Sequence, residues 1–139
     1  MSSPTDDVAV TLYPPGKPPV VLTCEVAKTV SEKTTGLMYR SSLPMERGMV
    51  FFFWASWVRL FWMNHVSIPL DILFINRKFK VVSIRSTSAT VGFFNRKFWA
   101  RGFGKYVIEC NRGFCLHHHI CVGTTISIQG RKKERKKFS

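Results

Sequence analysis

Acids are scarce in this chain: eight Asp and Glu stand against 21 Lys and Arg. The shortage is confined to one half. Residues 1–72 hold six of each sign, whereas residues 73–139 hold fifteen cations and only two acids, Glu109 and Glu134, so the whole net charge of +13 falls in the second half. A half so depleted in acids is unsuited to a basic partner and points to a polyanion, either nucleic acid or an anionic membrane. Cysteine is sparse too. Cys24, Cys110, Cys115 and Cys121 are too few for a disulfide-stapled secreted scaffold, and no basic n-region with an apolar h-region precedes them. Reduced thiols in an intracellular setting are expected. The start, MSSPTDDVAV, lacks the basic amphipathic character of a mitochondrial presequence, but a matrix protein with a processed or internal signal reads the same way. The mitochondrial matrix therefore stays slightly ahead of the cytoplasm as the expected location. Long apolar runs are missing as well. The best stretch, MVFFFWASWVRLFWM over residues 49–63, is shorter than the ~20 residues a membrane-spanning helix needs and contains Arg59. It reads instead as two aromatic strands broken at Ala55-Ser56.

What the chain does have is enough length for one core, since 139 residues bury roughly two-thirds of their unfolded surface. It is also rich in rings, with 12 Phe and 4 Trp, more than such a core is expected to absorb. Five prolines within residues 1–19 deny backbone donors to a sheet and predict an extended surface arm there. Residues 20–27 alternate like a half-buried strand, and Thr29-Val30-Ser31-Glu32 has the form of a capping box, predicting a short helix over residues 30–39. From Val50 onward, short Phe-, Val- and Ile-rich units at residues 50–54, 58–63, 70–75, 79–84, 106–110 and 124–128 alternate with turn residues, which is the rhythm of a β-sandwich or barrel. Asn76-Arg77-Lys78 is expected to turn a hairpin, and residues 86–104 to form a long basic-aromatic connection. The organisation predicted is an arm at 1–19, a mainly β domain at 20–130 and a basic tail at 131–139, too charged to fold alone.

Several residue groups carry candidate chemistry. Asp71 sits among Leu70, Ile72, Leu73 and Phe74, and an ionised carboxylate there needs backbone N–H groups or an Arg to meet it. His65, Ser67 and Asp71 share strand parity, but Pro69 interrupts them and no nucleophile elbow or oxyanion loop accompanies them, so a structural role for Asp71 is expected and no catalytic residue is assigned. Cys110, Cys115, His117, His118, His119 and Cys121 are the densest set of metal-ligand types, yet their spacing matches no knuckle pattern and adjacent side chains on a strand diverge. Neither a metal nor a cofactor is expected. Gly102 and Gly104 lack a strand–loop–helix setting and read as a bend. The segment carrying Arg96, Lys97, Phe98, Trp99 and Arg101 joins guanidinium and ammonium groups for phosphates to rings on which bases can stack. With Arg77, Lys78, Lys80, Arg112 and the tail cations Arg131, Lys132, Lys133, Arg135, Lys136 and Lys137, it makes an RNA or polyanion surface the expected functional feature.

Val26-Ala27 before the capping box, Gly36-Leu37-Met38-Tyr39-Arg40, Leu43-Pro44, Gly48-Met49, Phe61-Trp62-Met63, Ile68-Pro69-Leu70-Asp71-Ile72, Val81-Val82-Ser83-Ile84, Tyr106-Val107-Ile108-Glu109 and Gly123 follow an order that resembles the family called domain of unknown function 192. The resemblance runs from about Val21 to Ile128. It implies a compact, mainly β domain, sandwich or barrel-like, with one short helix in its first half, and it implies no settled activity. The chain departs from the family pattern at Asn64-His65-Val66-Ser67, in the basic segment after Ile84, and at Gly123-Thr124. If the family's shared polar residues form a small-molecule pocket, it lies here around Trp62, Met63 and Asp71 with altered walls.

Together these features predict a non-catalytic accessory subunit of a large ribonucleoprotein, an organellar, mitochondrial ribosome or its assembly particle first among them. Its expected partners are structural RNA and neighbouring protein subunits, with no small-molecule substrate. Two alternatives stay open: a protein-docking subunit of a membrane-associated complex, presenting Trp54 and Trp57, and a small-molecule-binding domain or enzyme that retains the family pocket.

Overall fold

The structure, a computed structural model, describes residues 7–63, 65–88 and 99–130, apart from the side chains of Trp62 and Trp99. Its framework is one seven-stranded sheet in the order β5-β4-β6-β3-β2-β1-β7, built from β1 (Val8–Tyr13), β2 (Val20–Ala27), β3 (Arg47–Trp62), β4 (Leu70–Ile75), β5 (Val81–Ser86), β6 (Trp99–Asn111) and β7 (Thr125–Gln129). Every adjacent pair is antiparallel except β2 with β3, which run parallel. That pair needs a crossover, and the crossover carries the helix α1 (Val30–Thr35).

The sheet curls until its two edge strands meet at one end. Lys80 bridges Thr125, the Val81 N–H donates to the Thr124 carbonyl at 2.9 Å, and the Ile126 N–H donates to that of Phe79 at 2.9 Å. The result is a half-barrel, the barrel-like, mainly β fold that the strand rhythm predicts. No helix among the described residues is long and apolar enough to cross a membrane.

Alternation along the strands sends side chains to two cores. Inside the curl lie Val10, Leu12, Leu22, Cys24, Val50, Leu73, Ile75, Ile108 and Cys110, closed by Phe114 and Cys115 of a second helix, α2 (Phe114–His117). On the outer face Met49, Phe51, Ile72, Phe74 and Val107 pack under Leu37, Leu43, Met63, Val66 and Ile68 from the segments that cross it.

The capping box forms as predicted. Thr29 Oγ1 accepts from the Glu32 N–H at 3.0 Å, and Glu32 Oε1 accepts from the N–H groups of Thr29 and Lys28 at 3.0 and 2.9 Å. The helix is a turn shorter than residues 30–39, because Gly36 takes φ 48° and turns buried Leu37 into the outer core.

Three expectations are corrected. Residues 1–19 are not all an arm: Val8–Tyr13 is strand β1, paired on both sides, and the prolines at 14–19 turn it back into β2. Ala55-Ser56 does not split residues 49–63, since β3 runs through it as a wide irregularity. Phe52 pairs with Tyr106 and Trp57 with Gly104, so five steps of β3 face two of β6. The connection expected over 86–104 ends early, because β6 begins at Trp99 and pairs with the far half of β3.

Candidate functional site

The β3 irregularity and the β4–β5 turn meet across β6 to form an open groove of about 650 Å³, lined by Trp54, Ala55, Ser56, Asn76, Arg77, Lys78, Phe103 and Lys105. The turn is held by Asn76, whose Oδ1 accepts from the N–H groups of Lys78 and Lys80 at 2.9 and 3.0 Å, an arrangement that suits Asn between strands. Phe79 follows at φ 62°, an uncommon backbone for a ring residue, and stacks on Tyr106 at 5.0 Å between centroids. Locked this way, the turn leaves Arg77, Lys78 and Lys80 exposed. Trp54 is 96% exposed on the irregularity and Phe103 50% exposed on β6. Arg101, Phe103 and Lys105 alternate along one face of β6. Among the described residues no acid lines the groove.

Of the predicted polyanion contacts, the structure therefore brings Arg77 and Lys78 together with Lys105, places Lys80 on the seam between the edge strands, and leaves Arg101 exposed further along β6. The rings beside them are Trp54 and Phe103. Arg96, Lys97 and Phe98, the Trp99 side chain and the tail residues Arg131, Lys132, Lys133, Arg135, Lys136 and Lys137 lie outside the described residues. Arg112 is elsewhere: its guanidinium donates to the Thr87 carbonyl at 3.2 Å, beside the start of β4 rather than its end.

Asp71 finds the partners its setting demands. Ser86 donates to Oδ1 at 2.8 Å, and the N–H groups of Gly113 and Cys115 donate to Oδ2 at 3.1 and 3.0 Å. Gly113 starts α2 without a side-chain cap of its own, so Asp71 caps that helix from a neighbouring strand. His65 and Ser67 are engaged elsewhere. His65 stacks on Tyr39 at 4.8 Å, and the Ser67 hydroxyl donates to the Arg40 carbonyl at 3.2 Å. The residues of the expected family pocket also separate: Met63 belongs to the outer core, Asp71 faces the inner side with Ser86 and α2, and the Trp62 side chain is not among the described ones.

The cysteines are free; Cys24, Cys110 and Cys115 are buried and Cys121 is exposed. Burial pushes the Cys24 thiol well above its usual value. Among the described residues no three His, Cys, Asp or Glu side chains converge as a metal would need. Burial, then the neighbouring His117 and His119, lowers the His118 pKa.

These contacts carry a prediction. Asp71→Asn keeps one carbonyl oxygen but loses the charge that strengthens three hydrogen bonds, and is expected to cost about 1–2 kcal/mol of stability in urea denaturation. His65→Ala loses one exposed ring stack and is expected to cost less than about 1 kcal/mol. Equal losses would show that Asp71 does not hold α2 in place.

A second region shares Met63 with the expected family pocket but otherwise lies apart from the predicted sites. Between α1 and the outer face of β3 opens a cleft of about 680 Å³, whose walls include Leu37, Phe51, Phe53, Phe61 and Met63. Glu109 also lines it and is 4% exposed. Burial pushes its carboxyl up to about 8. The signal in the sequence is an acid inside the apolar unit at 106–110, the same anomaly that marks Asp71.

The profile of the family described as domain of unknown function 192, an uncharacterised group, matches residues 12–128. A solved structure of a protein of unknown function from Novosphingobium aromaticivorans is similar at a TM-score of 0.80 and 28% identity, covering 90% of this chain and 87% of that one. Another, from Sinorhizobium meliloti and named only provisionally as a transcription regulator, matches at a TM-score of 0.80 and 24% identity over 92% of this chain and 97% of its own. Among curated proteins none matches.

Proposed function

The chain belongs to the domain of unknown function 192 family, a group without a settled activity, and from that premise we propose a role carried by this chain's own surface: a non-catalytic, RNA-contacting accessory subunit of a large ribonucleoprotein. One observation carries this reading. Exposed Trp54 and Phe103 stand beside Arg77, Lys78 and Lys105 in a groove with no acid among its described residues, which is the pairing of stacking platforms and phosphate ligands that single-stranded nucleic acid uses. The fifteen cations of residues 73–139 extend the same field, and the basic tail adds phosphate contacts through counterion release. Such binding positions a protein on RNA without reading bases, as suits a subunit that also packs against neighbouring proteins. A mitochondrial ribosome or its assembly particle is the setting this reading favours.

The test uses a fluorescent single-stranded RNA of about 20 nucleotides, a length that exceeds one module's site, titrated across salt concentrations. If about four tail cations meet phosphates, deleting residues 131–139 removes a contribution that falls about fiftyfold between roughly 50 and 200 mM salt, and flattens the slope by roughly 0.7 per lost contact. The fold should survive the deletion, since β7 ends at Gln129. Trp54→Ala with Arg77→Ala should weaken binding in the full chain by about tenfold or more, the order expected for one lost stack and one lost phosphate contact. Unchanged affinity and slope in both variants would overturn the reading. The exposed row of Trp54, Trp57 and Leu60 along β3 would then favour protein docking in a membrane-associated complex.

A further inference from the structure

Phe53 stands at one side of the cleft between α1 and β3, with the Lys33 ammonium 4.4 Å and the Arg59 guanidinium 3.9 Å from its ring centroid. Two cations gathered on one ring repel each other. Neither has an ion pair among the described residues, where Arg40 takes Glu25 and Arg47 takes Asp7. The acid next to Lys33, Glu32, is occupied by the capping box. Arg59 is held in place by donating to the Gly104 carbonyl at 3.1 Å and to that of Ala55, which leaves further N–H groups of its fork for another acceptor. Behind these cations the wall is mostly apolar, and among the described residues Glu109 is the one acid that lines the cleft. A neutral carboxylic acid in that wall offers one donor and one acceptor to a molecule in the cleft.

We propose that this cleft binds a free amphipathic organic anion: a carboxylate or phosphate head on Lys33 and Arg59, an apolar body among Leu37, Phe51, Phe61 and Met63, and a hydroxyl or carbonyl oxygen that hydrogen-bonds Glu109. The site is separate from the RNA groove, so the two stand or fall apart. Charge complementarity sets the sign of the head, the walls set the body, and Glu109 adds a demand that a plain alkyl chain does not meet. The burial that holds Glu109 neutral agrees with this: its pKa of about 8 keeps the O–H donor in place at neutral pH.

The experiment uses the full chain and the fluorescent probe 1-anilinonaphthalene-8-sulfonate, with stoichiometry from calorimetry. One saturable site is expected, from which octanoate and octyl phosphate displace the probe at least tenfold more effectively than 1-octanol or octylamine. Lys33→Gln, alone or with Arg59→Gln, should remove that preference. 8-Hydroxyoctanoate should outcompete octanoate in the wild type and in Glu109→Gln, and lose its advantage in Glu109→Leu, each variant being checked for an unchanged circular dichroism spectrum. Filling the cleft with Leu37→Phe should lower probe binding while leaving RNA binding as it was. The proposal is overturned by probe binding at several equivalent sites, by equal competition from octylamine, by binding seen only with anionic phospholipid vesicles, or by an unaltered hydroxyl preference in Glu109→Leu. A short RNA that fails to displace the probe leaves the site intact; one that displaces it competitively merges the site with the groove and overturns their separation.

Discussion

Gly102→Ala is expected to unfold the protein or destabilise it by roughly 3 kcal/mol or more, at the top of the range for overpacking a well-filled core. A Cβ at Gly102 would lie 2.4 to 2.6 Å from three atoms of the Phe74 ring, far inside van der Waals contact. The ring has little room to retreat. Phe74 is fully buried, and its edge meets Phe61 at 6.1 Å and 70°. Two steps along β6, a Cβ on Gly104 would come within 2.9 Å of the Ile75 carbonyl oxygen, so this glycine pair lets β4 and β6 cross closely. Urea denaturation checks the size of the effect. Phe74→Leu in the Gly102→Ala background should recover part of the loss, because the smaller side chain vacates the space the methyl needs. An Ala at Gly102 that melts like the wild type would show that the strands do not press together there.

The same glycines show where sequence legibility ends. Their lack of side chains is visible in the chain, but a bend and a close strand crossing demand the same residue, and only the partner strand distinguishes them. Capping and turn chemistry is local and was therefore readable: Thr29 and Glu32 close their box, and Asn76 nucleates its hairpin. Strand β1 was hidden by its neighbours, because Val10 and Leu12 give only a brief alternation next to a proline cluster that turns out to be a connection. Ala55-Ser56 looks like a break because its residues are small; the sheet absorbs it as extra length in β3, held on one side by Arg59 on the Ala55 carbonyl.

The groove was half legible. Arg77, Lys78 and the surplus of cations stand out in the chain, whereas Trp54 and Phe103 become neighbours of those cations only through the pairing of β3, β6 and β4. Asp71 and Glu109 carry the opposite lesson. Both are acids inside apolar strands, yet one meets two backbone N–H groups and a hydroxyl while the other lines a cleft with Phe51, Phe61 and Met63. Parity along one strand cannot tell which acid will find a helix end waiting for it.

Glu109 therefore sets the second large effect, on the dependence of stability on pH. Its carboxyl is raised from 4.5 to about 8, with burial as the cause; the Lys33 and Arg59 charges that line the cleft with it do not hold it ionised. Across the strands its direct neighbours are Met49 and Ile72, whose side chains bring no charge. The folded chain thus keeps a proton that the unfolded chain gives up. Between those two values the native state binds more protons, so stability falls as pH rises. It is highest, as far as this group is concerned, below pH 4.5 and levels off above about 8. The total change is on the order of 5 kcal/mol, because each tenfold difference in proton affinity between the folded and unfolded chain is worth about 1.4 kcal/mol. Glu109→Gln, which has no proton to lose, is expected to flatten this part of the profile and to be more stable than the wild type at pH 9. Urea midpoints of both proteins across pH 5 to 9 check the prediction. Parallel profiles, or a wild type that gains stability toward alkaline pH relative to the variant, would show that Glu109 is ionised in the folded protein and that a cation reaches it through the cleft.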